Sequence, residues 1–126
     1  MDYITTVRVL LAGSRTPLNG VKVALYDRDE NSEDDALGVG HTNQFGEVDF
    51  HYSTRDFADG FLGTDDQGGV RLRGRDTVPD LYAIVYNQQD EAVISTREKA
   101  TENKAALNIL IEIDETIARA HGLVEA

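Results

Sequence analysis

Apolar and polar residues alternate every second position in short runs along this chain, and that constrains its fold more than any other feature. Val7, Val9 and Leu11 alternate with Arg8, Leu10 and Ala12; Val21, Val23 and Leu25 with Lys22, Ala24 and Tyr26; Val48, Phe50 and Tyr52 with Asp49, His51 and Ser53. A period of two sends neighbouring side chains to opposite faces of an extended backbone, so each run predicts a half-buried strand. Leu81, Ala83 and Val85 share one face of another run, and Tyr82, Ile84 and Tyr86 share the other. Both of its faces are apolar or aromatic, which predicts a central strand. Leu107, Ile109, Ile111 and Ile113 form the last strong run, and residues 36–42 and 91–96 are weaker ones. About seven strands at this spacing describe a sandwich.

Turn signals separate the runs. Arg15-Thr16-Pro17-Leu18-Asn19-Gly20 joins the first two, and Asn87-Gln88-Gln89-Asp90 is a polar turn. Asn43-Gln44-Phe45-Gly46 has the composition of a tight hairpin, with Gly46 suited to positive φ. Residues 53–61 predict one irregular or helical turn, with Phe57 and Phe61 four apart on one face. Residues 60–79 form a long segment rich in glycine, aspartate and arginine, and a loop of that length inside a compact domain is usually functional, mobile or ordered by a partner. Within it Arg71, Arg73 and Arg75 alternate with Val70, Leu72 and Gly74, allowing a short edge ribbon with one basic face. Such a ribbon reads either as an edge kept soluble by charge or as a contact to an acidic partner, a neighbouring copy included. After Ile113, Asp114 suits an N-cap, Glu115 and Arg119 sit four apart, and Gly122 suits a helix stop. The expectation is an all-β sandwich of seven to eight strands over residues 1–113, with a short C-terminal helix in 114–126 docked through Ile117.

At 126 residues the chain suits one domain. No apolar run approaches the roughly 20 residues of a membrane helix. The opening Met1-Asp2-Tyr3-Ile4 lacks a secretory pattern, leaving the cytoplasm or a signal-independent export route as expectations. The formal net charge of −11 opposes nucleic-acid phosphates and anionic membranes, and attracts cations or basic partners. With no cysteine, disulfides, thiolate metal sites and cysteine nucleophiles are removed together. His41, His51 and His121 lie far apart with no supporting catalytic motif, and His51 falls on the polar face beside Asp49. The glycines at 60, 63, 68, 69 and 74 lack the spacing of a phosphate loop.

The segment from Leu25 to Gly38 holds six carboxylates: Asp27, Asp29, Glu30, Glu33, Asp34 and Asp35. Carboxylates clustered on a strand-to-strand loop are hard oxygen ligands suited to calcium. Aspartate and asparagine also cap turns by accepting nearby backbone N–H groups, so a structural role competes with ligation. Counted from Asp27, the helix-loop-helix calcium pattern fails: its sixth position is Ser32 rather than glycine, and its twelfth is Gly38 rather than glutamate. Asp27, Asp29 and Asp35 followed by Ala36-Leu37-Gly38 resemble the second calcium loop of the phospholipid-binding sandwiches of protein kinase C and synaptotagmin. The earlier aspartate loop of those domains has no counterpart here. Val78-Pro79-Asp80-Leu81-Tyr82 looks similar to it but follows in the chain instead of preceding. Candidate metal ligands are Asp27, Asp29, Asp35 and Asp34, with Asp80 a further binding residue beside Arg71, Arg73 and Arg75.

Gly20-Val21-Lys22-Val23-Ala24-Leu25-Tyr26-Asp27 after a Pro17-Leu18-Asn19 turn, then Asp34-Asp35-Ala36-Leu37-Gly38, then Thr42-Asn43-Gln44-Phe45-Gly46-Glu47-Val48, resemble the transthyretin-like superfamily, which includes carboxypeptidase regulatory-like domains. Pro79-Asp80-Leu81-Tyr82, Val85-Tyr86 and Ser95-Thr96 add to the likeness, which covers residues 7–113. It implies a Greek-key (prealbumin-like) sandwich used as a binding, spacer or assembly module. One enzymatic branch, the hydroxyisourate hydrolases, carries paired histidines, an arginine and a terminal Tyr-Arg-Gly-Ser; this chain reads Leu123-Val124-Glu125-Ala126 there. The reading favoured is a non-catalytic module whose partner is a protein or a second copy, its small-molecule ligand unidentified. A calcium-stabilised adhesion or surface module and a small hydrolase of the hydroxyisourate kind are the alternatives.

Overall fold

The computed structural model describes residues 2–29, 33–54, 78–103 and 105–124. Among them are eight strands: β1 (Asp2–Leu11), β2 (Lys22–Asp27), β3 (Asp35–His41), β4 (Glu47–Ser53), β5 (Asp80–Tyr86), β6 (Ala92–Ser95), β7 (Thr101–Glu102) and β8 (Ala106–Ile113). A 3₁₀ turn (Arg97–Lys99) precedes β7, and helix α1 (Glu115–Ala120) follows β8. The strands form two sheets, one ordered β4-β1-β8 and the other β3-β2-β5-β6, with β7 also pairing β5. The domain is the expected β-sandwich. The expected Phe57/Phe61 turn and the Arg71–Arg75 ribbon lie outside the described residues.

Alternation delivers the core. Val7, Val9 and Leu11 of β1, Val23 and Leu25 of β2, Phe50 and Tyr52 of β4, Leu81, Ala83 and Val85 of β5, and Ile111 and Ile113 of β8 meet between the sheets. Burying each such side chain is worth about 1.5–3 kcal/mol before conformational entropy is set against it. β5 lies inside its sheet, between β2 and β6, as two apolar faces predicted. β1 pairs antiparallel with β4 but parallel with β8. The chain reaches β8 from β7 on the opposite sheet, so it re-enters beside β1 running the same way.

Glycine sets two close approaches. Gly46 takes φ 76° in the turn before β4, where a Cβ would stand 2.6 Å from the Val9 carbonyl oxygen. Gly40 lets edge strand β3 lie against β4, since a Cβ there would come within 2.7 Å of Val48 Cγ2. Helix α1 has the expected cap, with Asp114 accepting from the Thr116 N–H, and the expected Glu115–Arg119 pair. Its docking residue differs: Ala118 is buried, whereas Ile117 is 41% exposed. The small side chain lets the helix backbone approach the sandwich end closely.

A second departure lies inside. Asn103 is buried, and its Nδ2 donates to Tyr52 Oη at 2.6 Å, Ile4 O at 3.2 Å and Thr5 Oγ1 at 3.3 Å. Its Oδ1 accepts from the Ala105 N–H at 2.9 Å. This side chain ties the β7–β8 connection to β1 and β4 and meets the requirement that buried polar groups be paired.

Candidate functional site

The inward row of β2 runs Val21, Val23, Leu25 and then Asp27, so the last position of a hydrophobic row is a carboxylate, 9% exposed. Antiparallel pairing of β2 with β5 and β3 sets Asp27 beside Leu81 and Asp35. Asp27 Oδ1 accepts the Asp80 backbone N–H at 2.8 Å. Burial is the main force raising the Asp27 pKa to about 7; the Asp80 N–H opposes the rise, and the charges of Asp35, Asp29 and Asp80 add to it.

The topology therefore gathers the acidic residues singled out from the sequence, Asp27, Asp29, Asp34, Asp35 and Asp80, at one corner. It also brings arginines there. Asp34 accepts from Arg97 Nε at 2.7 Å and Nη2 at 3.1 Å, from the Asp29 N–H at 2.9 Å, and from the Tyr82 hydroxyl. The Arg97 pair holds the Asp34 carboxyl well below its usual range. Burial, then this bond to Asp34, pushes the Tyr82 hydroxyl up to about 12. Asp80 pairs with Arg28 Nη2 at 2.9 Å, and Arg28 Nη1 donates to the Arg97 carbonyl at 3.2 Å. Guanidinium groups thus stand beside Asp34 and Asp80. Among the described residues no group of three or more acidic or histidine side chains is arranged to hold a metal ion. Arg97 lies 63 positions from Asp34 in the chain, and no local pattern announced it. The candidate binding residues Arg71, Arg73 and Arg75 lie outside the described residues.

The second feature is the outer face of the β3-β2-β5-β6 sheet. Cross-strand register places Lys22 opposite Tyr86, Ala24 opposite Ile84, and Tyr26 opposite Tyr82. Tyr26 and Tyr82 stack with centroids 5.4 Å apart and planes 13° from parallel. Burial first, then a hydrogen bond with Tyr26, raises the Tyr86 pKa. Lys22 Nζ lies 5.2 Å from the Tyr86 centroid, and the Arg97 guanidinium lies 5.9 Å from that of Tyr82. Val39, beside Ala24 on β3, is 61% exposed. At one end the face opens into a cleft of about 270 Å³, where Lys22, His41, Tyr86 and Asp90 meet Asn19 and Gln88. The outer face of the other sheet carries Arg8–Glu47 and Arg15–Glu112 ion pairs, a Thr6–Asp49 hydrogen bond and an exposed Leu110 opposite Arg8.

No family model matches this chain. No curated protein matches it either. Among solved structures it is similar to a 9R-lipoxygenase from Cyanothece PCC8801, at 17% identity and TM-score 0.49, over 89% of this chain and 16% of that one. It is also similar to a shaft pilin from Lactobacillus rhamnosus GG, at 13% identity and TM-score 0.47, over 90% of this chain and 46% of that one. A third likeness is to a DUF3823 family protein from Bacteroides uniformis, at 8% identity and TM-score 0.51, over 90% of this chain and 43% of that one. The chain spans less than half the length of each, and the last likeness speaks for the β-sandwich fold alone.

Proposed function

We propose that this domain is a non-catalytic binding or assembly module of the transthyretin-like kind, which meets its partner through the outer face of the β3-β2-β5-β6 sheet. One observation carries the reading: the two outer faces differ in kind. One bears ion pairs around an exposed Leu110 and, among the described residues, no tyrosine, while the other carries half-buried Tyr26, Ile84 and Tyr86 around a buried Tyr82, with Val39 exposed beside them. Tyrosine and arginine are enriched where proteins bind one another, because a rigid amphipathic ring buries much area at little entropic cost. The test is affinity capture from the native source with the wild type and with Tyr26→Ser/Val39→Asp, both verified as folded by circular dichroism. The variant should lose partners that the wild type retains. Equal capture by both refutes the face.

A second reading, a calcium-stabilised surface module, draws support from the mutual repulsion of Asp27, Asp29 and Asp35 at one corner. A bound cation would relieve that repulsion. On this reading calcium raises Tm more at pH 8 than at pH 5, and Asp27→Asn/Asp29→Asn abolishes the rise. An unchanged Tm across a calcium titration removes the ion from the account.

A further inference from the structure

Resting on the sheet-face reading above, we infer that the partner is a protein surface presenting arginine or lysine side chains beside an apolar contact, and that the tyrosine face receives those cations. The first support is the chain's own use of its cations. Of the seven arginine and lysine residues described, Arg8, Arg15, Lys22, Arg28, Arg97 and Arg119 are each already paired with a carboxylate of the same chain; Lys99 alone is in no such pair. With 16 acidic against 7 basic residues among those described, the described surface has almost no cation to spare for an acidic partner and carboxylates in excess for a basic one.

The second support is the chemistry of the face. Its rings already accept cations, Lys22 over Tyr86 and Arg97 over Tyr82. A cation over an aromatic ring gains about 0.5–1 kcal/mol at an exposed site and about 2 when desolvated, so covering the face with a partner strengthens such contacts. Asp90, which holds Lys22 at 2.9 Å, has a side chain 70% exposed. An exposed pair of this kind is worth at most about 1 kcal/mol. An incoming guanidinium, with its bidentate geometry, can therefore take Asp90 from Lys22 at small cost. Val39, on the edge strand β3 beside Ala24, supplies the apolar contact. A net charge of −11 also raises the encounter rate with a basic partner and opposes the approach of a second copy of the chain.

The probe is a short peptide alternating arginine with valine, titrated into the full ¹⁵N-labelled chain, with an otherwise identical glutamine–valine peptide as comparison. The arginine peptide should shift the amides of Ala24, Tyr26, Val39, Ile84 and Tyr86, and its affinity should fall about tenfold between 50 and 300 mM salt. Asp90→Asn and Tyr26→Ser/Val39→Ser should each weaken it about threefold or more; all these side chains lie on the outer surface, so the fold survives. If the glutamine peptide shifts the same amides with equal affinity, the basic-partner inference fails while the sheet face stands as the interface. If the arginine peptide shifts amides only elsewhere, or neither variant weakens it, the inference fails at this face. If concentration-dependent self-association shifts these amides instead, the occupant is a second copy and the basic partner is overturned.

Discussion

Replacing Asp27 by asparagine should stabilise the protein at alkaline pH and leave it nearly unchanged in mild acid. The side chain closes an otherwise hydrophobic row, and burial raises its pKa from an ordinary 3.8 to about 7. Between those two values the folded state holds a proton that the unfolded chain has released, so stability falls as pH rises. The loss amounts to about 1.4 kcal/mol for each pH unit in that window and approaches roughly 4 kcal/mol above pH 7. Asparagine keeps an oxygen for the Asp80 N–H, 2.8 Å away, and brings no charge. At pH 8 Asp27→Asn should therefore gain about 2–4 kcal/mol over the wild type, or roughly 6–16 °C in Tm for a domain of this size. At pH 4.5 the two proteins should agree within about 1 kcal/mol. Urea unfolding followed by far-ultraviolet circular dichroism at both pH values measures the difference. Comparing variant with wild type cancels the contributions that the two proteins share. A wild type as stable at pH 8 as at pH 4.5, with no gain from the variant, would refute the assignment of a buried, protonated carboxyl.

Arg97→Gln removes the main group that keeps Asp34 ionised; the stability this pair confers is present above pH 3.8 and lost as pH falls below it, so the variant's acid-unfolding midpoint should move to higher pH, read by tyrosine fluorescence. Gly46→Ala should cost about 2–4 kcal/mol in urea unfolding, because the new Cβ meets both a positive φ and the Val9 carbonyl; a cost under about 0.5 kcal/mol would show that the turn relaxes freely. Asn103→Ala should cost about 2–4 kcal/mol in urea unfolding, since it removes the buried donor to Tyr52 Oη and Ile4 O and the acceptor of the Ala105 N–H, and leaves a cavity; the Thr5 and Tyr52 hydroxyls keep only each other.

The strands were legible because burial on one side writes itself as a period of two. β1 shows where that signal weakens. The structure starts it at Asp2, well before the Val7 run, because Tyr3 and Thr5 also face inward and a buried threonine does not look like core. Thr5 is hidden only because Tyr52 and Asn103 bond its hydroxyl, a contact spanning 98 residues in the chain. The two-residue β7 is too short to carry any periodicity and exists because Asp80 and Leu81 offer it a ladder. Ile117 misled for a related reason: hydrophobicity marks what can be buried, whereas close docking of a short helix selects the smaller Ala118.

The acidic corner shows the same limit in electrostatics. Local sequence displays six carboxylates and suggests a missing cation, but part of the compensation arrives from far along the chain. Arg97 reaches Asp34 because β6 returns beside β5 and the 3₁₀ turn then sets the guanidinium over Tyr82. Arg28, embedded in the acidic run itself, reaches Asp80 only because β5 pairs with β2. Among the described residues no arginine pairs with Asp27, which faces inward, and desolvation raises its pKa. One corner thus contains two responses to the same repulsion, an arginine partner at Asp34 and Asp80 and a raised pKa at Asp27. They respond oppositely to acid, which weakens the Asp34–Arg97 pair and relieves Asp27. Together the two groups place the stability maximum near pH 4, where Asp34 is still ionised in its pair and Asp27 has begun to destabilise the fold only slightly.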